Sequence, residues 1–158
     1  MKLKGIIEED FTNYKLPSMF LITCTCDFKC CKEAGNDICQ NLLIIKQKDL
    51  EISDDRLIDR YLSNPITKAI VFGGLEPIMQ FNEVYDFIYK LRHEYNCQDY
   101  VVIYTGYYPH EIPKEISKLS GLGNIVVKFG RFIPDQDPYY DEVLGVKLAS
   151  DNQYGLEL

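Results

Sequence analysis

Five of the six cysteines in this chain fall between Cys24 and Cys39 (Cys24, Cys26, Cys30, Cys31 and Cys39), and only Cys97 stands elsewhere. Thiolates crowded in this way are soft donors suited to zinc or to an iron-sulfur cluster, and their number alone leaves those two evenly matched. The segment Met1 to Gly5 runs into acidic Glu8, Glu9 and Asp10 rather than into an apolar export signal. The expected setting is therefore the cytoplasm, where thiols stay reduced and bind metal or react rather than pair as disulfides. Cys97 reads as a partly buried bystander. His93 and His110 have no visible partner, and Asp54, Asp55 and Asp59 read as the solvated face of a helix.

At 158 residues the chain suits one compact domain spanning residues 1–158. With 46% hydrophobic and 26% charged residues it has the composition of a globular protein, and no apolar run approaches the ~20 residues of a membrane helix. Seventeen basic against 24 acidic residues leave a net charge of −7. No local basic patch offsets that charge, so neither nucleic acid nor membrane is an expected partner.

The elements that must position the cysteines alternate along the chain. Ser18 to Thr23 is an apolar run behind Pro17 and reads as a buried strand that delivers the chain into the thiols. Residues 24–41 lack apolar periodicity and read as a ligand loop with a helical turn near its end. Leu42 to Ile45 is a brief apolar stretch. Ser53-Asp54-Asp55 caps a helix whose apolar stripe is Leu57, Ile58, Tyr61 and Leu62. Ala69 to Phe72 reads as a buried strand ending at Gly73-Gly74, and Asn82 to Tyr95 as a helix with Val84, Phe87, Ile88 and Leu91 inward. Tyr100 to Tyr104 is a strand before Thr105-Gly106, Glu111 to Leu119 a short helix after Pro109, and Asn124 to Phe129 a strand before Gly130. Residues 131–158, polar and holding Pro134 and Pro138, read as an extended tail. Strand and helix in alternation predict an α/β fold with a mostly parallel sheet and right-handed crossovers. Ligands collect beyond the carboxyl ends of such strands, so the cysteine loop, Gly73-Gly74, Thr105-Gly106 and Gly130-Arg131 are expected to face one crevice.

Cys26-Asp27-Phe28-Lys29-Cys30, directly after the first of these strands, resembles the opening of the radical S-adenosylmethionine (SAM) signature, in which three spaced cysteines hold a four-iron cluster. Ile70-Val71-Phe72-Gly73-Gly74-Leu75-Glu76-Pro77 is similar to that family's Gly-Gly-Glu-Pro motif with Leu75 inserted. Val102 to Tyr107 resembles the Tyr-Thr-Gly-Tyr strand end of anaerobic ribonucleotide reductase activating proteins. Lys128 to Ile133, followed by Gly145 and Ser150-Asp151-Asn152-Gln153, is similar to that group's closing elements. The likeness spans residues 18–153 and implies a small partial (β/α) barrel.

The resemblance implies a 4Fe-4S cluster and S-adenosyl-L-methionine as cofactors, with Gly73, Gly74, Glu76 and Thr105 contacting the SAM. Cys26 and Cys30 are the first two implied cluster ligands. The position three beyond Cys30 is Glu33 rather than cysteine, so Cys39, Cys31, Cys24 and Glu33 stand as candidates for the third. Cys39 is favoured: Cys31 adjoins Cys30, Cys24 is one residue from Cys26, and carboxylate oxygen suits iron-sulfur clusters less than thiolate. Lys128 and Arg131 are read either as partners of the SAM carboxylate or as a salt bridge at the sheet rim. The implied partners are the glycyl-radical subunit of anaerobic ribonucleotide reductase and a small redox protein that supplies electrons. Other readings are a related radical SAM enzyme with another substrate, and a metal-binding module without catalysis.

Overall fold

The computed structural model describes residues 1–158. Its strands are β1 (Lys2–Asp10), β2 (Ser18–Thr23), β3 (Leu50–Glu51), β4 (Ala69–Gly73), β5 (Tyr100–Tyr104), β6 (Ile125–Phe129), β7 (Tyr139–Asp141), β8 (Val146–Leu148) and β9 (Tyr154–Glu157). The helices are α1 (Lys29–Ala34), α2 (Asp54–Ser63), α3 (Phe81–His93) and α4 (Pro113–Ser120). One seven-stranded sheet runs in the order β3-β1-β2-β4-β5-β6-β9, and β7 and β8 form a separate hairpin. The centre, β2 to β6, is parallel, while β1, β3 and β9 pair antiparallel at the edges. The fold is α/β with a mixed sheet, and no helix is long and apolar enough to cross a membrane.

The near-continuous apolar strands are explained by burial on both faces. Met19 and Leu21, Ile70 and Phe72, Val101 and Ile103, and Ile125 and Val127 point to one side. There they meet Leu57, Ile58 and Tyr61 of α2, Val84, Phe87, Ile88 and Leu91 of α3, and Leu119 of α4. The alternate residues Phe20, Ala69, Val71, Val102 and Val126 point to the other side and pack with Tyr14, Leu144 and Leu148. Ser53 caps α2 by accepting the Arg56 N–H at 3.4 Å. Buried Arg92 closes the end of α3 by donating to the carbonyls of Leu122, Cys97, Asp99 and Gly123 at 2.7 to 3.2 Å.

Several expectations are corrected. Residues 2–10, to which the sequence assigns no element, form β1, whose single fully buried apolar side chain, Leu3, offers no alternating pattern to detect. The helical turn in the ligand loop is α1, in its middle rather than near its end. Leu62 is 47% exposed, beyond the edge of the α2 stripe. The helix expected over 111–119 is split: a 3₁₀ turn covers Pro109–Glu111, and α4 begins at Pro113 because proline suits the first helical position. The tail is not extended throughout, since it supplies the β7–β8 hairpin that covers the second face of the sheet and then the edge strand β9.

Leu144, fully buried under that hairpin, accepts the Lys15 N–H through its carbonyl at 2.8 Å and fixes the tail to the body. Leu144→Ala is expected to cost about 2–5 kcal/mol, read as a lowered thermal midpoint. An unchanged midpoint would show that the tail does not hold the second face.

Candidate metal centre

The carboxyl ends of the parallel strands open onto a cavity of about 510 Å³ on the hairpin side of the sheet, within the range of about 300–1,000 Å³ usual for small-molecule sites. Cys26, Cys30 and Cys39 all line it, with Gly74, Glu76, Thr105, Lys128 and Arg131. Cys24 and Cys31 do not, and neither does Cys97, whose carbonyl is held by Arg92 behind the sheet. Cys31 is buried at 8% exposure. All six cysteines are free thiols.

The loop is built to present sulfur. Phe28 adopts φ 53° and ψ 38° at the start of α1, a left-handed conformation uncommon for a bulky residue and costing about 1–3 kcal/mol. In that conformation its N–H donates to Cys26 Sγ at 3.3 Å. Cys39 Sγ likewise accepts the Asn41 N–H at 3.4 Å. Gly35, at φ 70°, ends α1 and turns the chain back toward Cys39. Burial first, then Glu76, Asp27 and Cys39, pushes the Cys26 thiol up to about 11 against the pull of the Phe28 N–H. Cys30 is pushed up by burial and then by Cys39 and Cys31. Metal uptake by these thiols therefore has to be accompanied by proton release.

The strand ends are tied together at Glu76, which is 6% exposed. Its N–H donates to the Thr25 carbonyl in the cysteine loop at 2.8 Å. Its carboxylate accepts from Thr105 Oγ1 at 2.7 Å, the Gly106 N–H at 2.8 Å and the Ile78 N–H at 3.1 Å. Burial raises its pKa and these three donors oppose the rise. Thr105 also accepts the Tyr107 N–H at 3.0 Å, so its hydroxyl is engaged on both sides. The Gly73 carbonyl accepts from Leu75 N–H at 3.0 Å and Thr23 Oγ1 at 3.2 Å, whereas the Gly74 carbonyl enters no turn, loop or side-chain hydrogen bond. Gly74 has φ +80°, and a Cβ there would lie 2.6 Å from Ile22 Cγ2, which excludes every other residue without movement.

Positive charge on the wall comes from Lys128 and Arg131. Lys128 is 7% exposed, donates to the Gly130 carbonyl at 2.8 Å, and is pushed down to about 8 by burial while Glu76 and Cys30 oppose the fall. Arg131 donates through Nη2 to both Glu111 oxygens at 2.6 and 2.8 Å, and its Nε lies 3.1 Å from Glu33. Lys29 also pairs with Glu111. Glu33 therefore engages Arg131 and is not among the cavity-lining residues. Glu111 and Lys29 went unnoticed in the sequence, where their separation of 82 residues leaves no pairing signal. The closing motif meets the end of β6: Asn152 Nδ2 donates to the Arg131 carbonyl at 2.8 Å, and Gln153 Nε2 to the Gly130 carbonyl at 3.4 Å.

Three thiols at one cavity, two of them already accepting N–H bonds, fit the donor set of an iron-sulfur protein, in which hydrogen bonds to sulfur are usual. Residues 18–152 match the family described as the 4Fe-4S single cluster domain, and the chain belongs to that family. No curated protein matches the chain.

Two measurements follow. Cys26→Ala, Cys30→Ala and Cys39→Ala are each expected to abolish cluster assembly, and Cys31→Ala to retain it, by iron and sulfide analysis of anaerobically reconstituted protein. A normal cluster in Cys39→Ala would remove that residue from the ligand set. Burial alone would raise Glu111, but the Arg131 and Lys29 hydrogen bonds hold it at about 2 against an ordinary 4.5. A carboxyl depressed by folding stabilises fully above its ordinary value, and that contribution fades as pH falls from 4.5 toward 2. Glu111→Gln should therefore lower the thermal midpoint at neutral pH, with the gap from the parent closing through that window. A gap that stays constant with pH would contradict the assignment.

Proposed function

We propose that the chain is a radical SAM enzyme of the activase type, in a partial (β/α) barrel, that generates a glycyl radical on anaerobic ribonucleotide reductase. The observation that carries this reading is the count of thiols at the cavity: Cys26, Cys30 and Cys39, and no fourth. Three thiolates on four irons leave one iron for the amino and carboxylate groups of S-adenosyl-L-methionine. When bound and reduced, the cluster supplies one electron to the sulfonium, and the carbon-sulfur bond breaks to give methionine and a 5′-deoxyadenosyl radical.

The chain's own residues bind and enclose. The unengaged Gly74 carbonyl accepts from the SAM amino group, and Glu76 and Thr105 serve that contact by fixing the ends of β4 and β5 around it. The Lys128 ammonium, with no carboxylate in ion-pair contact, faces the cavity as a counter-charge to the SAM carboxylate. Ile7, Phe20, Ile22 and Tyr104 supply an apolar wall that keeps water from the radical. A small redox protein would supply the electron, and a glycine of the reductase subunit would be the hydrogen-atom donor. The resemblance supplies that partner.

Reconstituted protein, reduced without oxygen in the presence of SAM, is expected to form 5′-deoxyadenosine, measured by chromatography. An intact cluster that yields none would reduce the chain to a cluster-holding module. Formation of 5′-deoxyadenosine without a glycyl radical on co-incubated reductase, followed by electron paramagnetic resonance, would move the activity to another substrate.

A further inference from the structure

Cys30 and Cys31 are neighbours in sequence, and either sulfur is chemically able to bind iron, yet only one of them lines the cavity. Cys30 lines the cavity, and Cys31 is buried at 8% exposure away from it. Which of the two faces the cavity depends on the rotation of α1, because each residue advances the helix by about 100°. The six residues of α1, Lys-Cys-Cys-Lys-Glu-Ala, hold no apolar stripe that would set that rotation by burial.

Lys29 and Glu33 stand four residues apart on one face of α1. Opposite them, the 3₁₀ turn supplies Glu111 and the chain after β6 supplies Arg131, joined to each other at 2.6 and 2.8 Å. Lys29 pairs with Glu111, and Glu33 lies 3.1 Å from Arg131, so four charges alternate in sign across the junction. The inner pair is sheltered, with Arg131 side-chain exposure of 5% and Glu111 of 17%. The outer pairs are weaker singly, since Lys29 is 36% and Glu33 53% exposed. Their strength as a positioning device lies in their order: a turn of α1 by one residue parts both from their partners at once. The Lys29 ammonium also sits 5.0 Å from the Tyr107 ring centre, and the Tyr107 hydroxyl donates to Asp27 at 2.9 Å, so the same contact braces the chain beside Cys26.

We propose that Lys29 and Glu33 are positioning residues that select Cys30 over Cys31 as the cluster ligand by docking α1 on the Glu111–Arg131 pair. On this view Glu33, at the place where a third cysteine is expected, acts by holding the helix rather than by touching iron. The proposal rests on the ligand role given to Cys30 above, but its test involves no iron and no SAM, so its failure is separate from a failure of the proposed reaction.

The test is alkylation of the reduced full-length chain by iodoacetamide without oxygen or metal, followed residue by residue by mass spectrometry. In Lys29→Gln/Glu33→Gln, Cys31 is expected to react faster by about tenfold, the ratio that about 1.4 kcal/mol of lost docking supports, while Cys97 keeps its parent rate. Lys29→Arg, which preserves the charge, should hold Cys31 near the parent rate. Unchanged protection of Cys31 in the double variant overturns the proposal. Should the double variant unfold and expose Cys97 as well, Glu33→Gln alone decides: selective exposure of Cys31 supports the proposal, and a joint rise or no rise overturns it.

Discussion

A single buried residue, Glu76, joins three parts of this molecule. Its backbone N–H holds the cysteine loop at Thr25, and its carboxylate gathers the Thr105 hydroxyl and the Gly106 amide at the end of β5 and the Ile78 amide beyond β4. A carboxylate removed from water is costly unless donors replace the lost hydration. Three donors do so here, and each comes from a segment that has to stop at a defined place for the cavity to exist. Parallel strands bring their carboxyl ends to one edge of the sheet, but they do not by themselves hold the loops in register. Glu76 adds that constraint.

The cavity owes its side of the sheet to an asymmetry in covering. Helices α2, α3 and α4 seal one face completely, so the apolar residues behind them are fully buried. On the other face Leu144 and Leu148 cover the lower strands, while Phe20, Ile22 and Tyr104 border open space. Lys128 reaches that space from β6 with one carbonyl partner and no ion pair, and burial weakens its hold on the proton. A cation so placed costs folding energy in isolation. Negative charge introduced at the neighbouring thiols would offset the cost, which links this buried cation to the metal site.

What was legible in the sequence follows from which signals are local. The strands Ser18 to Thr23 and Ala69 to Phe72 announce themselves through continuous apolar runs, and α3 through inward residues three and four apart. The Ser53 cap and the Pro109 and Pro113 breaks are also local, although two prolines so close made one helix out of a turn and a helix. Strand β1 was hidden because Lys2, Lys4 and Glu8 interrupt its pattern, and its place is set by pairing with β2. The short strands β7, β8 and β9 carry too few residues to show a period. At the site, the cysteines and glycines were visible as types at spacings. The partners that orient them, Glu111, Lys29 and Lys128 among them, come together only through the fold.

The departure at Glu33 has a structural consequence for the loop as a whole. A thiolate three residues beyond Cys30 would ride on α1 and share its rigidity. Cys39 lies instead on irregular chain beyond Gly35, steadied by the Asn41 N–H to its sulfur and by turns in which Ile38 N–H bonds to the Asn36 carbonyl and Ile44 N–H to the Asn41 carbonyl, each at 3.0 Å. Cys26 and Cys30 are therefore placed by a charged, docked helix and its left-handed entry at Phe28, and Cys39 by short-range turns. Short-range turns open at lower free energy than packed elements, which sets the segment around Cys39 apart from α1.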